Sequence, residues 1–495
     1  MTRTKKRQAP VSGWLIVGLL LTQLACKTVM GGVVPVATPT ALPTTARPSP
    51  SAMPPDKSGP EQGHQTGKTS ELTPPYLPSS APGIACIGTQ GFGITCLENG
   101  EWHTHSEATG NIVNDYILAI TGCPDGSVLA AHSSGLGRYN HQEWRSYEKG
   151  WGVSSAEALA CGAENDIWVA HFRGVSHFDG LHWQTYPATE HLLGAAGDPE
   201  LLNDLAITTA GDVWAVTANS VAWFAQGEWQ VFAEGAGFDE RQFFANVALD
   251  AQGRPWVSAS QGLFVFDGLM WTPFPKDRFS SPTALAVDAQ GQVWVGTASY
   301  GLYVLHQDGS WSNYNRTNSR LSSDHVRDIV IDGQGRVWIG TVWGLNVLAE
   351  DVWYTYRMDN SGLADQDIGT LVVVNGGPAL PEPHTKVPGS LSGKIVDEGG
   401  NAVAHAAIDL CVEKLYQDAY DTSPCADQPF YHTATTDAEG NFSFTDVPMG
   451  RYVLAVNDDG LWRRVPNERG TSYLQVLVTA RENTDVGEVT LKEKR

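Results

Sequence analysis

Seven tryptophans constrain this chain more than any other feature. Trp102, Trp144, Trp183, Trp229, Trp271, Trp311 and Trp353 follow one another at gaps that, by subtraction of those positions, run from 39 to 46 residues. Most are followed three positions later by Tyr or Phe, as in Trp144 with Tyr147 and Trp311 with Tyr314; His105 is the exception. The clearest unit is His325 to Tyr356, HVRDIVIDGQGRVWIGTVWGLNVLAEDVWYTY. VRDIVID, VWIGT, GLNVL and VWYTY each read as a short strand of β-branched and aromatic residues between turns. Second strands recur as IWVA from Ile167, VWAV from Val213, PWVS from Pro255, VWVG from Val293 and VWIG from Val337. Third strands follow a glycine, at Gly135, Gly174, Gly262, Gly301 and Gly344. Four short strands repeated about every 40 residues are the pattern of β-propeller blades. Large residues fall on both parities of these strands, as expected of a blade buried between two neighbours.

The ends of the array predict how it closes. The first repeat opens at its second strand, IACIG from Ile84, and its missing inner strand is supplied by DIGTLVVV, Asp367 to Val374. A blade built from both termini seals the ring and leaves no exposed sheet edge. The fold class is therefore all-β: a seven-bladed β-propeller with strand-exchange closure over residues 83–376, followed by a small β-sandwich.

At 495 residues, with a net charge of −22 and 17% charged residues, the chain has room for two or three domains. The acidic balance argues against nucleic acid, whose binders neutralise phosphates with Lys and Arg. It argues equally against broad docking on an anionic lipid surface.

Residues 1–26 read as a secretory signal: Arg3, Lys5, Lys6 and Arg7 precede an apolar run from Val11 to Leu24. Leu21-Thr22-Gln23-Leu24-Ala25-Cys26 resembles a lipobox, with Gln23 where leucine is usual. The resemblance implies lipidation at Cys26 and a bacterial membrane lipoprotein; secretion, or an uncleaved N-terminal helix as anchor, is the alternative. Each places the rest of the chain outside the cytoplasm. Residues 27–82 are rich in Pro, Thr and Ser, too poor in apolar side chains to offset backbone ordering, and read as a disordered tether.

LSSDHVRDIVIDGQGRVWIGTVWGLNVL resembles the two-component regulator propeller repeat, which builds the periplasmic sensor heads of hybrid histidine kinases. The likeness spans Ile84 to Val374 and is clearest in the last two repeats. It implies ligand sensing by a propeller, without the kinase half, and so a separate signalling partner. After a linker at 377–387, residues 388–495 resemble carboxypeptidase regulatory-like and Cna-B-like modules. The matching residues are Gly393, the turn Asp397 to Gly400, Ala407, Thr436-Asp437, Gly440, Phe442, Phe444, Gly450 and Tyr452. That resemblance implies a structural or adhesive role.

Six cysteines besides Cys26 suit an oxidising compartment. Strand placement pairs Cys86 with Cys96 in one hairpin, Cys123 with Cys161 at equivalent turns of adjacent blades, and Cys411 with Cys425 across a loop. Free buried thiols are the alternative.

No HExxH, GxSxG, Walker or CxxC motif occurs. Propeller ligands usually sit at the mouth of the central channel, on loops from blade to blade and on turns between second and third strands. Those turns carry Phe92, His132, His171, Phe172, Arg173, Tyr300 and Trp343. Aromatic faces with a few polar groups suit a glycan, a peptide or another small extracellular molecule; packing on the next blade is the plainer role. His132 and His171 hold equivalent positions in adjacent blades, but a histidine pair is too few ligands for a metal, and no metal or cofactor is expected. The long connection from Pro187 to Leu202 carries Glu190, His191, Asp198 and Glu200, either functional or a solvated excursion. Asp115, Asp204, Asp324 and Asp367 recur near inner-strand starts, ringing the channel or accepting turn N–H groups.

The expected function is an extracytoplasmic ligand-binding or sensory propeller without catalysis. One alternative is a structural or adhesive surface protein. The other is a propeller enzyme similar to virginiamycin B lyase, with His132, His171 and Glu190 as its candidate catalytic groups.

Overall fold

The computed structural model describes residues 83–491, apart from 148–155, 164–165, 173, 189–201, 235–236, 239–241, 261, 276–278, 413–418, 427, 429 and 467–473. The signal, Cys26 and the tether lie outside the described residues, as do Arg173, Glu190, His191, Asp198 and Glu200.

Blade seven shows how the repeat folds. Val326–Ile331, Val337–Thr341, Gly344–Ala349 and Val352–Tyr356 pair in succession, all antiparallel. Its turn is held by one carboxylate. Asp332 accepts from the N–H groups of Gln334 and Arg336, from Arg336 Nε at 2.6 Å and from the indole of Trp338 at 2.8 Å. Trp338 is thus fully buried with its polar atom satisfied. Asp250 with Trp256 and Asp288 with Trp294 repeat the arrangement at 3.4 and 3.1 Å. The acid six residues before a second-strand Trp is therefore a structural part of the repeat.

Among the described residues seven such sheets follow one another, the fourth with a short extra parallel strand, Gly237–Phe238. The first draws on both ends of the array. Ile84–Gly88 pairs with Ile94–Glu98 on one side and with Thr370–Val374 on the other, Ile84 opposite Val374 and Gly88 opposite Thr370. Leu371 and Val372 are buried in this seam, each contributing about 1.5–3 kcal/mol. Neighbouring blades are also tied through their inner strands: Asp204 accepts from Val247 N–H at 2.9 Å, and Asp328 from Leu371 N–H at 2.8 Å.

Beyond the propeller, two sheets face each other. In one, Gly389–Val396 lies between Asn441–Val447 and Asn483–Thr490. The other is built around Ala407–Cys411 and Gly450–Asp458. Phe442 and Phe444 alternate inward from NFSFTDV and pack with Leu391, Ile395, Leu410 and Leu454. Disulfides join Cys86 to Cys96, Cys123 to Cys161 and Cys411 to Cys425. Among the described residues no helix is long and apolar enough to cross a membrane.

Candidate functional site

One device shapes the turns at the mouth of the ring. A threonine ends the second strand, and its Oγ1 accepts a backbone N–H of the turn that follows. Thr89 accepts from Phe92 N–H at 3.2 Å, Thr217 from Ser220 at 2.9 Å, Thr297 from Tyr300 at 2.9 Å and Thr341 from Trp343 at 3.0 Å. Thr89, Thr297 and Thr341 also donate to the carbonyls of Gly93, Gly301 and Gly344. Those glycines have φ of 71°, 77° and 119°, and at Gly301 and Gly344 a Cβ would strike the carbonyl of Tyr314 or Tyr356.

His132 and His171 occupy the threonine position in blades two and three. His132 Nδ1 accepts from Ser134 N–H at 3.2 Å, and burial, working against the charge of Glu107, lowers its pKa. His171 Nε2 bonds the hydroxyl of Ser176 at 2.9 Å inside the blade. Both side chains are buried. Each imidazole is part of its own blade's hydrogen bonding, and neither is offered to solvent at the mouth.

Phe92 and Trp343 lie beneath the sandwich. Trp343 is 4% exposed and joins the sandwich core, with Phe430 and Tyr452 at ring distances of 5.6 and 5.9 Å. Arg451 lays its guanidinium over Phe92, 3.0 Å from the ring centroid, and pairs with Asp365 at 3.6 Å. Gln366 bonds the backbone of Arg451 in both directions. Burial raises Asp365 to about 6, an effect that Arg451 opposes. Blades one and seven are covered at Phe92 and Trp343, and Trp343, one of the expected ligand-binding residues, is a packing residue.

Tyr300, 55% exposed, is the residue of that set at an open turn, with Phe172 at 44% beside blade three's third strand. Tyr116 and Phe243, which immediately precede the inner strands of blades two and five, are 44% and 58% exposed. Neither lies in a second-to-third turn, where the expected aromatics fall; the position before each inner strand opens on the same mouth. Tyr116, Phe172, Phe243 and Tyr300 form an arc of exposed rings from blade two to blade six.

Asp115 and Asp324 serve the backbone, and Asp367 pairs with an arginine. Asp115 accepts from Glu107 N–H at 2.7 Å, Asp324 from Arg316 N–H at 2.8 Å, and Asp367 pairs with Arg327 at 3.3 Å. Asp204 and Asp328 carry the largest electrostatic consequence. Desolvation raises them to about 7 and about 6, Asp328 adding to the shift of Asp204. Among the described residues no group of three or more His, Cys, Asp and Glu is placed to hold a metal.

A family model described as two component regulator propeller matches residues 320–343, the entry to blade seven and its first two strands. No curated protein matches the chain. Similar solved structures include virginiamycin B lyase from Staphylococcus aureus, 10% identical, over 49% of this chain and 84% of that one, TM-score 0.42. The extracellular domain of a hybrid two component system from B. thetaiotaomicron is 17% identical over 55% and 39%, TM-score 0.42. PorZ, a surface component of the type-IX secretion system of Porphyromonas gingivalis, is 14% identical over 79% and 63%, TM-score 0.42.

Proposed function

We propose that this chain is an extracytoplasmic binding or sensory protein without catalytic activity, whose recognition face is the uncovered arc of blades two to six. The observation that carries this reading is the row of exposed rings, Tyr116, Phe172, Phe243 and Tyr300, on a mouth otherwise made of hydrogen-bonded turns. Exposed aromatic faces beside polar groups suit a glycan, a peptide or a comparable small molecule. The sandwich, read as a carboxypeptidase regulatory-like module, acts as a fixed cap over blades one and seven. Three disulfides fit an oxidising compartment, and lipidation at Cys26 is the proposed anchor. A lyase-type mechanism finds less support, because His132 and His171 are buried within their blades.

Thermal-shift screening of the full chain against glycans, peptides and cell-wall fragments tests the reading, since a true ligand raises the melting temperature by mass action. Tyr300→Ala and Phe243→Ala should abolish the shift of at least one hit. If neither variant moves any hit, or if the bound ligand is turned over, the assignment is overturned.

A further inference from the structure

The connections from blade six to seven and from blade seven to one are the same turn written twice. In the first, Asn318 Oδ1 accepts from Asn315 N–H at 2.8 Å and its Nδ2 donates to the carbonyl of Asn313 at 2.9 Å. In the second, Asn360 does the same with Arg357 at 2.7 Å and Thr355 at 3.0 Å. Ser319 and Ser361 donate to the carbonyls of Asn315 and Arg357 and accept from Leu321 and Leu363.

The copies differ one residue further on, where Gly362 in the second stands for Arg320 in the first. Gly362 lies so close to Trp102 that a Cβ would strike the Cβ and Cγ of that side chain. That joint is closed, with Trp102 and Tyr356 edge to face at 5.4 Å. Arg320 carries the Cβ that such an approach forbids, and the joint before blade seven stays open. The result is a cleft of about 620 Å³ lined by Tyr314, Trp353, Arg320 and Asp351. Its two rings meet edge to face at 5.7 Å. Thr317, Asn318 and Ser319 also border it, but their polar groups are used within the turn. Arg320 and Asp351 are exposed, and among the described residues neither side chain has a hydrogen bond or ion pair.

We propose that this joint is a second binding site, separate from the mouth, for a neutral saccharide. The two rings offer a sugar's C–H face an apolar wall. The guanidinium supplies donors and the carboxylate acceptors, and a hydroxyl needs both. One cation beside one anion leaves no net charge for an ionic ligand to neutralise.

The test is titration of the full chain by tryptophan fluorescence and calorimetry with maltohexaose, cellohexaose and chitohexaose. At least one should bind. Asp351→Ala and Trp353→Ala should each weaken it about tenfold or more, the scale of one lost aromatic or charge-assisted contact. Arg320→Gly, which copies the residue at 362, should close the cleft and abolish binding without lowering the melting temperature. Tyr300→Ala should leave this binding intact, which separates the site from the mouth. The proposal is overturned if none of the three sugars binds, if Arg320→Gly and Asp351→Ala bind like the parent, or if only the mouth variant loses affinity.

Discussion

Gln366 and Arg451 exchange two hydrogen bonds: the Gln366 side-chain amide donates to the Arg451 carbonyl at 2.6 Å, and the Arg451 N–H donates to Gln366 Oε1 at 3.0 Å. The pairing ties the turn before the closing strand to the sandwich. Removal of one partner leaves a buried polar group unmatched.

The first expectation concerns this contact. With Trp343 inside the sandwich core, Trp343→Ala should cost about 3–5 kcal/mol, the range for deleting a buried large aromatic. The parent should melt in one calorimetric transition, and the variant should show an earlier second one. A single unshifted transition would show that the two domains are energetically independent.

The turn device yields a second expectation. His132→Thr restores the acceptor used in blades one, four, six and seven, and should stay within about 1 kcal/mol of the parent in urea melts. His132→Leu leaves the Ser134 N–H without its partner and should lose about 1–3 kcal/mol. Equal losses in both would refute the equivalence.

Asp204 predicts a pH dependence. Its folded pKa lies near 7 against an ordinary 3.8, so between those values the folded chain keeps a proton that the unfolded chain releases. Stability from this group therefore falls as pH rises through that window and is level above it. Asp204→Asn should flatten that part of the profile of melting temperature against pH. An identical slope in the variant would assign the dependence elsewhere.

The disulfides should differ in weight. Cys123–Cys161 closes 38 residues and Cys86–Cys96 closes 10. By loop-closure entropy the longer link contributes about 4 kcal/mol and the shorter about 1 kcal/mol less. Paired serine variants compared by chemical melts check the order, and a larger loss at Cys86–Cys96 would contradict it.

Much of the ring was legible because its signals are local. A glycine opening the third strand and a tryptophan opening the fourth each act on residues a few positions away. The closing strand was legible for a different reason: a blade lacking its inner strand and a spare strand at the far end are complementary. Exposure at the mouth was not legible in this way. Trp343 and Tyr300 sit in the same turn of their blades and both donate a backbone N–H to the preceding threonine, yet one is 4% and the other 55% exposed.

The amino-acid sequence by itself determined the number of blades, how the ring seals and where its turns fall, since these follow from hydrogen bonds and side-chain alternation between near neighbours. Tertiary structure alone decided which rings face solvent. Gln366 meets Arg451 across 85 residues of chain, and no periodic pattern encodes which blade a second domain will cover. At the far joint, whether Arg320 borders a cleft or a closed seam depends on how near one turn lies to the next blade's tryptophan, a distance set by packing.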